Sequence, residues 1–113
     1  MTYLKTDIFA QIVAGSLPCT KIYETKNILA FQDTQPKAKT HIIIIPKKNL
    51  VSALKVDEKN YPLFGELFLV AKKIAKKLNL PGYKLHMNVG EEGGQVVPHV
   101  HLHLLSADYK SNL

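Results

Sequence analysis

The run "HVHLHLL" at residues 99–105 alternates with a period of two, and no other segment limits so tightly what the chain can fold into. In an extended strand the side chains at i, i+2 and i+4 share one face. His99, His101 and His103 then line one side while Val100, Leu102 and Leu104 enter a core. The segment predicts a strand in a sheet with one apolar face and one imidazole face. A single histidine there would mean little, since histidine is intermediate in burial preference. Three in strict alternation are hard to attribute to packing, because each ring needs hydrogen-bond partners.

At 113 residues the chain can bury one modest core, and 1–113 reads as a single domain. Ile8, Phe9, Ile12 and Val13 predict a short amphipathic helix from about Thr6 to Ala14, with Thr6 or Asp7 as N-cap and Gly15 as stop. "TKIYET", "ILAFQD" and "THIIIIP" read as an antiparallel meander, with Lys26 and Asn27 turning between the first two strands and Pro46 ending the third. Phe64, Leu67, Phe68, Ala71, Ile74, Ala75 and Leu78 recur at three and four. They predict a long helix that starts near Asn60, holds Pro62 in its first turn and stops at Pro81 and Gly82. Leu63, Leu69 and Val70 flank that stripe and offer a surface that a second copy could cover. "YKLHMNV" and "HVHLHLL" supply the fourth and fifth strands, joined by "GEEGGQ". The order predicts an α+β fold: a five-stranded antiparallel sheet with one short N-terminal helix and one long helix.

Composition narrows the class of function. With 46% hydrophobic and 21% charged residues the chain reads as soluble and globular, and no apolar run approaches the ~18 residues of a membrane span. "MTYLKTDIFAQIVAGSLP" lacks a basic stretch followed by a longer apolar one, so a cytoplasmic location with no membrane partner is expected. Cys19 is the only cysteine, which excludes an intrachain disulfide and a thiolate-rich zinc site. A net charge of +6 comes from fifteen lysines with no arginine, so any anion must be held by lysine, histidine or backbone N–H groups. Lys72, Lys73, Lys76 and Lys77 fall away from the apolar stripe and read as a solvated face rather than a nucleic-acid contact.

Two chemistries compete for the imidazole face. An H-x-H pair can give two zinc ligands, with His103, His41 or His86 as a third, although no cysteine or carboxylate lies close in sequence to complete the shell. The other is nucleophilic attack on phosphorus. Asn88, Gly90, Gly93 and Gly94 form a loop whose backbone N–H groups can turn inward as a concave anion site. A neutral imidazole nitrogen is a good nucleophile near pH 7, provided the second ring nitrogen carries a proton held by an acceptor such as a backbone carbonyl. A flanking histidine can bind the phosphate while a donor protonates the leaving group.

On these residues the chain resembles the histidine triad superfamily, whose strand reads His-φ-His-φ-His-φ-φ. "DIFAQIVAGSLP", "AFQDTQPKAKTHIIIIPKKNL" and "NVGEEGGQVVPHVHLHLL" resemble segments of its Hint branch in the same order, over about residues 6–105. Gly-Gly-Gln before the triad and Pro-Lys-Lys after the third strand favour that branch over the dinucleoside polyphosphate hydrolases and uridylyltransferases. The resemblance implies a HIT-like fold whose sheet extends across a homodimer. It implies hydrolysis of purine nucleoside 5'-phosphoramidates, derivatives of AMP or GMP, through a nucleotidylated histidine and without a cofactor. His101 corresponds to the nucleophile, His103 to the residue on the α-phosphate, and His99 to a supporting member whose backbone helps orient the nucleophile. Phosphate-side contacts fall on Asn88, Gly94 and Gln95, the ribose carboxylate on Asp33, and the base pocket on Ile8, Phe9, Ile12 and Phe31.

Each assignment has a plainer reading beside it. Asp33 can start the turn before Pro36, Phe9, Ile12 and Phe31 can be core, His41 reads as a satisfied histidine behind the site, and His86 reads as structural. Val96 stands where relatives often carry serine or threonine, and "SADYKSNL" is a shorter tail than in many of them. Some relatives hold zinc with cysteines near the first helix; Phe9 and Ala10 supply none, so no metal is implied. The rival functions are a nucleotide-binding regulatory module, a dinucleoside polyphosphate hydrolase, and nucleic-acid binding through the lysine-rich helix.

Overall fold

A computed structural model describes residues 6–108. The elements are α1 (Ile8–Ala14), β1 (Lys21–Glu24), β2 (Ile28–Gln32), β3 (Thr40–Pro46), α2 (Tyr61–Lys77), β4 (Lys84–His86) and β5 (Leu102–Ser106). Single 3-10 turns lie at Ala53–Lys55 and Glu91–Gly93. All neighbouring strands are antiparallel and their order is β1-β2-β3-β5-β4. The α+β arrangement is as the pattern predicts, and β5 slots between β3 and β4. His103 is thereby flanked by Ile43 on one side and His86 on the other.

The two faces of the sheet are buried by different helices. Leu67, Val70, Ala71 and Ile74 of α2 pack with Ile28, Ala30, Ile42, Ile44, Val100, Leu102 and Leu104. On the opposite face, Phe9 of α1 packs with Leu29, Phe31, Ile43, Ile45 and Val97. Burial on both sides explains the unbroken isoleucine run of β3, since neither face of that strand meets water.

Local signals set the ends of the helices. Asp7 caps α1, its Oδ1 accepting from the Ala10 N–H at 2.9 Å, and Gly15 closes it in the left-handed region at φ 84°. Asn60 precedes α2, with proline in the first turn as expected. The far end differs from expectation. Asn79 takes φ 55° and the Leu80 N–H donates to the Ala75 carbonyl at 2.9 Å, so a Schellman-type closure ends α2 before Pro81 and Gly82 are reached.

Three further expectations are corrected. Phe68 is 54% exposed whereas Val70 is buried, so the inward stripe of α2 runs through Leu67, Val70, Ala71, Ile74 and Ala75, with Phe68 and Leu69 facing out. Only His103 of the triad lies within a ladder strand. A tight turn, in which the His99 N–H donates to the Val97 carbonyl at 2.8 Å around Pro98, delays β5 until Leu102. The alternation survives that delay: Val100 joins the α2-side core while the rings of His99 and His101 stand edge-on to Phe9. β4 is likewise shorter than the segment 83–89 that was expected. The tail beyond residue 108 lies outside the described residues, and among those described no helix is long and apolar enough to cross a membrane.

Leu67 is fully buried in the α2-side core. Truncation by Leu67→Ala is expected to destabilise the chain by about 2–5 kcal/mol in urea denaturation, through lost burial and a residual cavity.

Candidate active site

The triad rings are ordered by the direction of their hydrogen bonds. His101 Nδ1 lies 2.7 Å from the His99 carbonyl oxygen, so Nδ1–H donates and Nε2 is left as an unprotonated lone pair. Nε2 has no protein partner among the described residues. Because no buried side-chain nitrogen there lacks a partner, Nε2 is open to solvent. The carbonyl acceptor that nucleophilic chemistry requires is therefore present on the residue two positions back.

His103 is wired from the other side. The Lys37 N–H donates to His41 Nδ1 at 3.0 Å, which places the His41 proton on Nε2. That Nε2–H meets His103 Nδ1 at 2.8 Å, so His103 accepts at Nδ1 and carries its own proton on Nε2. The rings of His101 and His103 lie with centroids 5.1 Å apart. One offers a lone pair and the other an N–H. His41, read from sequence as a satisfied histidine behind the site, is the residue that sets the His103 tautomer.

His99 takes no part in that pair of open nitrogens. It is fully buried, with Nδ1 2.9 Å from Asp7 Oδ2 and Nε2 2.8 Å from the Pro46 carbonyl oxygen. Asp7 entered the sequence reading only as a helix cap. Its link to His99 joins residues far apart in the chain, and no local pattern signals it.

A cavity of about 420 Å³ runs along these rings, within the usual range for small-ligand sites. Ile8, Phe9, Ile12, Phe31, Ile43 and Val97 make its apolar end; Asp33, Thr34, Gln35, His101 and His103 make the polar one. Pro18 and the exposed Cys19 complete the rim. Asp33 starts a turn, its Oδ1 accepting from the Gln35 N–H at 2.8 Å, and its Oδ2 sits 3.4 Å from His41 Nε2 at the cavity wall.

The glycine loop differs from expectation. The N–H groups of Gly90, Gly93, Gly94 and Gln95 are all used inside the loop, on Gln95 Oε1, the Gly90 carbonyl, the Glu91 carbonyl and the Gly90 carbonyl respectively. They are unavailable for the concave anion site predicted from the glycines. Gln95 is 1% exposed and its Nε2 donates to the carbonyls of Val51 and Val97, so its side chain braces the loop instead of reaching a ligand. Asn88 Nδ2 donates to the Gly93 carbonyl at 2.7 Å, and Gly94, at φ 85°, lies so close to that amide that a Cβ would come within 3.2 Å of it. Among the described residues, the half-buried Val96 and its neighbour Val97 keep amide N–H groups with no protein acceptor.

His86 is also reassigned by the structure. Paired with His103 across the β4–β5 ladder, its ring lies edge-on at 5.8 Å, and its Nε2 donates to Asn88 Oδ1 at 3.2 Å. It belongs to the triad face rather than to the core. The alternation of "YKLHMNV" puts His86 and Asn88 on one face, which is the signal that could have found it.

Electrostatics keep the open rings neutral. Burial is the main cause that lowers the His103 pKa, to about 3, assisted by the neighbouring His101, His41, His86 and Lys37. Burial also lowers His101, against the hydrogen bond to the His99 carbonyl, and lowers His41, against the Asp33 carboxylate. A neutral ring is what a nucleophilic nitrogen requires.

Asp33, His41 and His103 bring three ligand-type atoms within 4.8 Å of one another, the one such group among the described residues. The donor set does not suit a metal. His41 Nδ1 accepts a hydrogen bond from a backbone N–H, so the nitrogen that would bind the ion carries the proton instead. The 2.8 Å between His41 Nε2 and His103 Nδ1 is a hydrogen-bond distance, shorter than two nitrogens around one tetrahedral zinc would keep.

The wiring predicts a nitrogen NMR signature. At pH 5, where an ordinary histidine of pKa about 6.5 is mostly charged, His103 should still show one protonated and one unprotonated ring nitrogen, with Nδ1 the unprotonated one. A ring that titrates near pH 6.5, or one protonated at Nδ1, would contradict the relay from Lys37.

Comparison with known proteins agrees with this geometry. Residues 14–110 match the HIT domain. An uncharacterized HIT-like protein of Buchnera aphidicola is 40% identical over 87% of this chain and 88% of its own length. A 14 kDa zinc-binding protein of Zea mays is 43% identical over 87% of this chain and 79% of its own. The crystal structure of a HIT family hydrolase from Legionella pneumophila superposes with a TM-score of 0.86 at 40% identity, covering 95% of this chain and 97% of that one. The donor set described above gives no support for carrying zinc over from the maize relative. With the triad, the five-stranded sheet and the match over 14–110 all in agreement, the chain belongs to the HIT domain family.

Proposed function

We propose that this chain is a nucleotide-binding hydrolase that cleaves the P–N bond of purine nucleoside 5'-phosphoramidates through a covalent nucleotidyl-His101 intermediate. The observation that carries the reading is the pinning of His101 Nδ1 by the His99 carbonyl at 2.7 Å, which leaves Nε2 as a lone pair at the wall of a two-ended cavity. In the first step Nε2 attacks the α-phosphorus, an N–P bond to His101 forms, and the P–N bond to the amine breaks as the amine leaves with a proton taken from solvent, which the attacking water of the second step gives back. Water then attacks the same phosphorus and releases the nucleoside monophosphate and His101. As positive charge develops on the ring, the Nδ1–H bond to the carbonyl disperses it. His103 Nε2–H supports a phosphate oxygen from the neighbouring position.

The rest of the cavity fits the remainder of such a substrate. Ile8, Phe9, Ile12 and Phe31 offer apolar area for a purine, and Asp33 lies between that end and the triad with acceptor capacity for ribose hydroxyls. Asn88 and Gly94 shape the phosphate side. The free amides of Val96 and Val97 take the donor role expected of the glycine loop, and valine at 96 supplies no hydroxyl there. A hydrolase from Legionella with the same fold favours turnover over sensing. We assign no cofactor, no metal and no nucleic-acid partner, and a cytoplasmic location suits a chain with one free cysteine.

We also propose a homodimer in which the sheet continues from one copy to the next. β4 is an edge strand, and Tyr61, Phe68 and Leu69 of α2 are each more than half exposed. Sedimentation at micromolar concentration should report a dimer; a monomer would reject this assembly.

For the chemistry, His101→Ala is expected to lower turnover of an adenosine 5'-phosphoramidate by on the order of 10⁴-fold or more, while adenosine monophosphate still binds measurably. Intact mass should show an acid-labile, base-stable nucleotidyl adduct on the native chain and none on the variant. Full activity in the variant rejects the mechanism. Tight binding with neither adduct nor product would point to a regulatory module, and faster turnover of dinucleoside polyphosphates would move the chain to that class of substrate.

A further inference from the structure

The buried end of the triad contains an arrangement that the proposed mechanism does not use. His99 is fully buried and both its ring nitrogens face acceptors: Asp7 Oδ2 at 2.9 Å from Nδ1 and the Pro46 carbonyl oxygen at 2.8 Å from Nε2. A neutral imidazole has one N–H. With only one proton, one nitrogen would point its lone pair at an oxygen lone pair in a dry site, which is costly. Two acceptors on one ring call for an N–H at each nitrogen, with the Asp7 carboxylate opposite carrying the compensating charge. His99 is therefore an imidazolium paired with the Asp7 carboxylate.

The same carboxylate reaches two other parts of the site. Its Oδ1 caps α1 through the Ala10 N–H, and α1 supplies Ile8, Phe9 and Ile12 to the cavity. The Phe9 ring stands edge-on to His99 at 6.2 Å and to His101 at 5.0 Å. Across His99, the residue's own carbonyl is what holds His101 Nδ1. A single side chain thus touches the apolar wall through one oxygen and the support of the nucleophile through the other.

We infer that Asp7 is a positioning residue: through a buried His99 imidazolium it fixes the carbonyl that orients His101, and through the α1 cap it holds the apolar wall in register with the triad. The inference rests on the reading of His101 as nucleophile for its kinetic consequence, while the ion pair itself stands on geometry alone.

Asp7→Asn is the discriminating variant, since asparagine caps a helix as well as aspartate does and can still hydrogen-bond His99 without a charge. In the native protein at pH 7.5, nitrogen NMR should show both ring nitrogens of His99 protonated; in D7N one becomes unprotonated. Adduct formation from an adenosine phosphoramidate should slow by about 10- to 100-fold, with the KM for the nucleotide changed much less, and Asp7→Glu should recover part of the rate. A merely structural role would lower the melting temperature and leave both the His99 protonation pattern and the ratio of kcat to KM effects unmoved. A native His99 with a single protonated nitrogen overturns the inference, as does a D7N variant that forms adduct at the native rate. Should the native chain form no adduct at all, the function proposed above fails, and the His99 signals still decide whether the ion pair exists.

Discussion

A neutral imidazole has two nitrogens and one proton, and in His41, His101 and His103 the neighbour at Nδ1 decides which nitrogen carries it. The Lys37 amide determines His41, His41 determines His103, and the His99 carbonyl determines His101. What reaches the cavity is one lone pair and one N–H, side by side. No ring is free to choose its tautomer, so the chemistry of the site is decided by backbone groups placed by the fold.

Packing and protonation are then two aspects of one arrangement. Phe9 stands edge-on to both His99 and His101, and the burial it helps create around His101 disfavours the charged form of that ring. Gln95 spends its whole side chain on Gly90, Val51 and Val97, which holds the loop ahead of the triad at a constant distance from β5. Isoleucines on β3 serve both cores at once, so the strand that carries His41 has little room to shift.

Much of this was legible in the sequence because it is periodic. The alternation around His101 and His103, the three-and-four spacing of α2 and the capping signals at Asp7 and Gly15 are local, and they located the elements and the triad face. What was not legible depends on distance or direction. Asp7 and His99 meet only in the folded chain; the glycine loop spends its amides on Gln95 and on its own carbonyls instead of a concave anion site; and His86 was read as structural because its partner strand was unknown. Asn79 ended α2 ahead of a proline and glycine that looked like the natural stop, since an asparagine can adopt the left-handed conformation directly. Phe68 and Val70 exchanged places because both flank the line of Leu67, Ala71 and Ile74, and the period alone does not say which flank meets the sheet.

The placement of β5 between β3 and β4 has a consequence for how the molecule comes into being. During synthesis, α1, β2 and β3 can already enclose the apolar end of the cavity, yet the edge of β3 stays open until a much later segment threads in beside it. That pairing closes a long stretch of chain and is entropically slow compared with the local meander. The triad rings therefore arrive last, with the segment that completes the sheet. A partly folded chain can expose a sticky edge and an apolar pocket, but the imidazole pair that lines that pocket is set in place only when the sheet is complete.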